Sequence, residues 1–492
     1  MDVRRVTLLG RTLALSRRRT LHVAAGGLST LVGLGQRSGS RATPSDAAVR
    51  PDSATTAAAD ATPVPASGEP VPGLEAVDRV IRDVMGRWGL PGAQVALAKD
   101  GRLVFDRGYG LADVDRGEAV RPTSLFRIAS TTKAITAVAV LTLVDAGTLS
   151  LDAKVVPLLG FAPPTGATPD PRLADVTVQD LLVHAGGWDS AQSFDPQGLP
   201  FSRTAAAAVG LADPAEAATI VRFMLGEPLD FAPGTRQAYS NFGFNVLGRV
   251  IEKVTGQPYA DYVRTRVLLP AGITGMRLGR TRLADRAPDE VRYYAPPGQS
   301  PGWSVFWGEG YAPYAYGGST YLEALDAHGG WIASASDLVR FATAVDGQRA
   351  PALLKPATVR AMVETLRPRA GTPGHGVPGV TAEVTAGLGW DIIPGAGGVE
   401  WSRVGALIGS TASWLARRPD GVTVAFVTNS LPSDYNAFLN ETITGLGQAI
   451  DAVPDWPTDD FFRTADAVPD SASDTASGRE SGTASAHPRT DG

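Results

Sequence analysis

The stretch Ile128-Ala129-Ser130-Thr131-Thr132-Lys133, followed by a largely apolar run from Ala134 to Val144, constrains this chain more than any other. The pattern predicts a buried helix with a serine at its first turn and a lysine three residues later. Positions i and i+3 share a helix face, so the Ser130 hydroxyl and the Lys133 amine sit side by side. A serine hydroxyl is a poor nucleophile until a neighbouring base takes its proton. A lysine whose charged form is disfavoured by burial can be that base. Of 45 basic residues only five are Lys (99, 133, 154, 253 and 355). The other 40 are Arg, which keeps its proton in proteins. Ser130 is also the only serine three residues before a lysine. A bare S-x-x-K is more often a capped helix start with a solvated lysine, so the rest of the chain has to decide.

Length alone, 492 residues, suggests two or three domains, and 43% hydrophobic with 19% charged residues is the composition of a soluble globular protein. The net charge of -5 hides an asymmetry. Residues 1–50 hold nine Arg against two Asp, leaving 36 basic and 48 acidic residues beyond, a balance of -12. Nucleic acid and anionic membrane surfaces are therefore poor partners for the folded part. With no cysteine, disulfides, thiolate metal sites and cysteine nucleophiles are excluded. No uninterrupted apolar run after the N-terminal region reaches membrane-spanning length, so no span is expected in the mature protein.

Ser16-Arg17-Arg18-Arg19-Thr20-Leu21 precedes a mild apolar stretch, His22 to Gly35. Twin arginines before a weakly apolar segment predict a twin-arginine-type export signal over 1–36 and an extracellular or cell-envelope location. Residues 37–72 are Ala/Ser/Thr/Pro/Asp-rich without periodicity and read as a disordered linker, as does the tail 464–492. What remains is one long domain, 73–455.

Within that domain Gly73 to Trp88 has helical apolar spacing, and Ala93–Ala98 and Arg102–Tyr109 flank Lys99-Asp100-Gly101 as a hairpin. Residues 150 to 290 are mostly helical in pattern. Strands return at Leu388–Ile393, Val399–Val404, Thr411–Arg417 and Val422–Thr428, and Tyr435 to Thr444 predicts a closing helix, with Gly445 and Gly447 weakening its continuation. Strand pair, helical block, strand group implies an α+β fold: an antiparallel sheet from both chain ends, flanked by helices, with an inserted mostly helical region.

A second cluster, Tyr239-Ser240-Asn241, follows the helical block. A tyrosine near a lysine ammonium can exchange protons, and an asparagine two residues on can donate to a substrate carbonyl. Together with Phe126–Lys133, Leu90-Pro91-Gly92, Leu149–Lys154, Val176–Gly187 and Gly329–Leu338, this order of motifs resembles serine β-lactamases of the class C type. The related D-alanyl-D-alanine carboxypeptidases and family VIII-type esterases share it. The resemblance spans about residues 73 to 450. It implies the β-lactamase/transpeptidase-like fold, with the active site between sheet and helical region and no cofactor or metal.

The resemblance further implies that Ser130 is the nucleophile and that Lys133 and Tyr239 share its proton. Asn241 would position the scissile group, and the N–H groups of Ser130 and Ala406 would form the oxyanion hole. The family's third motif, Lys or His followed by a small residue and Gly, is absent as such. Arg403-Val404-Gly405-Ala406 falls in its place, and Arg403 could bind a substrate carboxylate but cannot shuttle a proton. His184 reads as loop packing, and the three histidines of the domain lack metal-cluster spacing. The aromatic-rich segment Trp303 to Tyr321 fits either a pocket wall or a stapled surface loop.

The expected activity is an exported serine hydrolase working through an acyl-enzyme on a small-molecule or peptide substrate. Esters or D-amino-acid peptides come first, because Arg403 departs from a strict β-lactamase pattern, and a β-lactam stays open. An acyltransferase or peptide cyclase using the same serine is the alternative, and a catalytically dead binding module is disfavoured by the intact Ser130, Lys133 and Tyr239. Oligomeric state is left open. If the export reading holds, replacing Arg17 and Arg18 by Lys abolishes extracellular activity; unchanged activity outside the cell rejects it.

Overall fold

Asp100 and Gly101 both adopt positive φ (50° and 78°), the requirement of a type I′ turn, and they join strand β1 (Gly92–Lys99) to β2 (Arg102–Asp113). The computed structural model describes residues 64–193, 196, 201–365 and 384–462, with backbone alone for short strands at 4–8, 11–15 and 367–368. The twin-arginine pair, most of the predicted linker and the predicted tail lie outside the described residues.

Four more strands come from the other end of the chain: β3 (Asp391–Gly395), β4 (Gly398–Leu407), β5 (Thr411–Arg417) and β6 (Val422–Thr428). Their order in the sheet is β3-β4-β5-β6-β1-β2, every neighbouring pair antiparallel. The ladder from Val422 opposite Lys99 to Thr428 opposite Ala93 joins the two chain ends, as the sequence predicts.

Side chains alternate between the two faces of this sheet. Val95, Leu97, Trp414, Val424 and Phe426 pack in one core with α1 (Glu75–Trp88) and α5 (Tyr435–Asp451). Ala96, Ala98, Leu415, Ala425 and Val427 pack in the other, with α2 (Thr132–Asp145), α3 (Asn241–Thr255) and α4 (Ala335–Asp346). Helix α2 is buried all round over Thr132 to Leu141, which is why its sequence lacks a polar stripe.

Two boundaries differ from the sequence reading. Ala66–Ser67 pairs with Gly108–Tyr109 of β2, and Phe462 is buried with its ring centroid 4.2 and 4.5 Å from the guanidinium carbons of Arg340 and Arg349, so the packed unit reaches beyond 73–455 at both ends. Helix α5 runs to Asp451 through both glycines. A side chain at Gly445 would stand 3.0 Å from Val80 of α1, so the glycine permits close helix packing, and that contact outweighs its low helix propensity. No helix among the described residues is long and apolar enough to cross a membrane.

Gly389 sets the distance between the sheet side and α2. Its φ is +87°, and a Cβ there would come 2.1 Å from the Ala137 Cβ. Left-handed strain and overpacking together predict that Gly389→Ala destabilises the fold by about 2–4 kcal/mol. Urea denaturation checks this, and an unchanged midpoint refutes it.

Candidate active site

The turn carrying Ser130 precedes the helix rather than belonging to it. Ala129–Thr131 forms a single 3₁₀ turn, and α2 begins at Thr132. Ala129 has φ +44°, a costly conformation for a residue with a Cβ, and it lies directly before the predicted nucleophile. Surrounding bonds hold the turn in that shape. Thr411 Oγ1 donates to the Arg127 carbonyl at 2.7 Å and Ser413 Oγ to the Ile128 carbonyl at 2.7 Å. Thr131 Oγ1 lies 2.8 Å from Ser413 Oγ, and Ile128 N–H donates to the Trp331 carbonyl. Upstream, the Arg127 guanidinium stacks on Tyr293 at 4.4 Å and donates to the Ala315 and Arg280 carbonyls. Its partner Glu290, 3.6 Å away, is held above the usual carboxylate range by burial.

Lys133 is fully buried, and its Nζ meets three oxygens: Asn241 Oδ1 at 2.6 Å, the His328 carbonyl at 2.9 Å and Ser130 Oγ at 3.1 Å. Two of these can only accept. Two N–H bonds therefore go to Asn241 and His328, and the third tetrahedral position points at Ser130, where either an N–H or a lone pair fits. Tyr239 Oη lies 2.8 Å from Ser130 Oγ and 3.3 Å from Asn241 Oδ1. Its ring covers the lysine, with Nζ 5.0 Å from the centroid. Ser240 caps α3 by accepting from Gly243 N–H, which fixes the Tyr239-Ser240-Asn241 corner. The structure thus brings Ser130, Lys133, Tyr239 and Asn241 together.

Asn241 has a further part beyond the substrate contact predicted for it, since its Oδ1 is committed to Lys133. His328, whose ring is held well below the usual histidine range by burial, contributes its backbone carbonyl to the site. A backbone carbonyl leaves no signature in sequence.

Strand β4 closes the other wall. A Cβ at Gly405 would meet the Ile128 carbonyl at 2.3 Å, Ser413 Oγ at 2.4 Å and Ser130 N at 3.0 Å, so only glycine lets the strand lie against the Ser130 turn. Ala406 follows, opposite Ala412 on β5. Strand β3 pairs with β4 only as far as Ser402, so among the described residues Arg403 to Leu407 have no strand partner on that edge.

Arg403 is buried, with its guanidinium carbon 5.7 Å from the Tyr239 ring centroid. Its Nη1 lies 3.5 Å from Asp391 Oδ2 at the start of β3, and its Nη2 lies 3.2 Å from His184 Nε2. The guanidinium therefore faces an internal carboxylate, which the sequence reading did not anticipate. His184, at φ +57°, lies against the Tyr239 ring at 4.6 Å, and its Nδ1 is 3.3 Å from Ser240 N–H. A neutral imidazole has one acceptor nitrogen, so Ser240 and Arg403 compete for it. The aromatic segment is divided: Trp303 and Tyr311 stack at 4.3 Å on the exposed surface, while Tyr314 borders the turn after β4 at Gly409.

Residues 77–447 match the family described as Beta-lactamase. The chain belongs to the beta-lactamase family. Among its relatives, the esterase EstB of Burkholderia gladioli is 35% identical over 212 residues, 40% of this chain and 49% of that protein. Protein flp of Staphylococcus aureus (strain N315) is 28% identical over 200 residues, 41% of this chain and 37% of its own length. The matched stretches thus span half or less of these curated relatives. The structure of D-amino acid amidase from Ochrobactrum anthropi SV3 with L-phenylalanine superposes with a TM-score of 0.59 at 24% identity. It covers 77% of this chain and 98% of that one.

The tight seat of Gly405 predicts that Gly405→Ala pushes β4 away from the Ser130 turn. A displacement near 1 Å at a reacting centre costs about 100-fold, so labelling of the variant by a fluorophosphonate should slow by at least about that factor with the fold intact by circular dichroism. Labelling at the parent rate overturns this account of the glycine.

Proposed function

We propose that this family member is a serine hydrolase that cleaves esters through an acyl-enzyme on Ser130. The observation that carries the reading is the convergence of Lys133 Nζ and Tyr239 Oη on one serine oxygen, at 3.1 and 2.8 Å. The likeness to esterase EstB supports esters as the substrate class.

The chemistry follows from the donors and acceptors. Ser130 Oγ attacks the ester carbonyl carbon while its proton moves to the lone pair that Lys133 presents or to the Tyr239 oxygen. Because Asn241 and the His328 carbonyl already hold two N–H groups of the amine, the proton arrives at a fixed position without reorganisation. The carbonyl oxygen becomes an oxyanion, for which the backbone N–H of Ser130 and that of Ala406 are the proposed donors. The C–O bond to the leaving alcohol breaks, and the alkoxide takes its proton from Tyr239. Water then attacks the acyl-enzyme, giving its proton to the same pair, and the carboxylic acid departs as Ser130 regains its proton. The proposed cellular setting is export, resting on the Arg17-Arg18 segment alone.

The test is intact-mass analysis after fluorophosphonate treatment, paired with turnover of p-nitrophenyl esters. Ser130→Ala should abolish the mass shift and leave the fold intact. Lys133→Arg should be nearly as inactive as Lys133→Ala, at least about 100-fold below the parent, because a guanidinium supplies charge without a removable proton. Labelling of Ser130→Ala at the parent level would remove the serine from the reaction, and an arginine variant with most of the rate would reduce Lys133 to a structural charge.

A further inference from the structure

We propose that Asp391 is a specificity-determining residue: by neutralising Arg403 it turns the third-motif position from a carboxylate receptor into a carboxylate excluder, so the site takes acyl groups without a nearby negative charge. This rests on the serine hydrolase reading above and narrows its substrate class.

The argument starts from where the charge goes. Arg403 stands on β4 two residues before Gly405, whose backbone touches the Ser130 turn, and its guanidinium lies against the Tyr239 ring. A cation there is placed to grip an acidic substrate through two parallel N–H bonds. In this chain those bonds point elsewhere. Nη1 faces Asp391 Oδ2 at 3.5 Å and Nη2 faces His184 Nε2 at 3.2 Å, while Nε has no hydrogen-bond partner among the described residues and only 3% of the side chain is exposed. A substrate carboxylate entering beside Arg403 would meet a neutral pair rather than a cation, and it would approach the Asp391 carboxylate as a like charge. To reach the guanidinium it would have to displace an internal ion pair in a poorly solvated place, where breaking a pair is most costly.

No other described cation at the site takes over the task. Lys133 is fully buried beneath Tyr239, Arg127 pairs with Glu290, and Arg236 pairs with Asp189. Electrostatic discrimination of this kind works by building repulsion against the wrong ligand as well as attraction for the right one. Asp391 supplies the repulsive element. In this account Arg403 keeps a positioning part through His184, which lies on the Tyr239 ring and beside the Ser240 amide.

The experiment compares p-nitrophenyl methyl succinate with p-nitrophenyl hydrogen succinate, which share a leaving group and differ in one acyl charge. Fluorophosphonate labelling of Ser130 first counts active sites; absence of labelling is failure of the hydrolase reading itself. With labelling established, kcat/KM for the neutral ester should exceed that for the acid by at least about 10-fold. Asp391→Asn, which exposes the Arg403 charge, should narrow the ratio at least about 5-fold, chiefly by lowering KM for the acid. Arg403→Gln, which removes the guanidinium and keeps the Asp391 carboxylate, should widen it. Equal or faster turnover of the acid by the parent enzyme overturns the proposal, and that comparison needs no variant to fold. An Asp391→Asn enzyme that labels fully and keeps the parent ratio also overturns it, since a merely structural carboxylate would change both substrates alike.

Discussion

One buried amine organises this molecule. Lys133 has no solvent contact, and a charge or a strong hydrogen-bond donor in such a place is tolerated only when every N–H finds an oxygen. The three oxygens come from three separate parts of the chain: the turn before α2, the first residue of α3, and the carbonyl of His328 just before the short strand Trp331–Ala333. Satisfying one side chain therefore requires the helical region and the segments beside the sheet to meet in a single arrangement. Removing one partner of a buried charge typically costs about 3–5 kcal/mol, so the same contacts that hold the proposed nucleophile also fix the relation between helical block and sheet.

The Ser130 turn depends on that arrangement in a second way. Ala129 at φ +44° is held there because the neighbouring carbonyls of Arg127 and Ile128 are taken by Thr411 and Ser413 of β5, and Gly405 of β4 leaves room for the turn to touch the sheet. Local strain is sustained by bonds from a strand nearly 300 residues away in sequence. The serine stands on a turn that neither helix nor strand geometry would produce alone.

Much of this was legible from the chain, for physical reasons. Strands β5 and β6 are alternating or fully apolar runs bounded by Pro-Asp-Gly, and their limits agree with the pattern residue for residue. The S-x-x-K and Y-x-N pairs mark side chains whose chemistry is specific, and the structure brings them within hydrogen-bond reach. What stayed hidden was of two kinds. Backbone groups such as the His328 carbonyl carry no residue signature. Tertiary pairings such as Arg403 with Asp391 join positions whose spacing has no periodic meaning, and an Asp within a predicted strand carries no sign of its partner. The continuation of α5 across Gly445 belongs to the second kind, because the reason for that glycine is Val80, more than 360 positions earlier.

The substitution of arginine at position 403 becomes intelligible once these parts are combined. A lysine or histidine there would offer a second titrating group beside Tyr239. Arginine offers a fixed charge, and that charge is met by Asp391 and the His184 ring. In the proposed mechanism proton traffic is then confined to the Ser130, Lys133 and Tyr239 oxygens and nitrogen, whose mutual distances of about 3 Å are set by α2 and the α3 corner rather than by the sheet. On the proposal for Asp391, the sheet is left with two other tasks, presenting the β4 edge from Arg403 to Leu407, which has no strand partner among the described residues, and controlling which charges can lie along it. If the proposed proton machinery lies on the helical side and the proposed charge selection on the strand side, the second can change in a chain like this without disturbing the first.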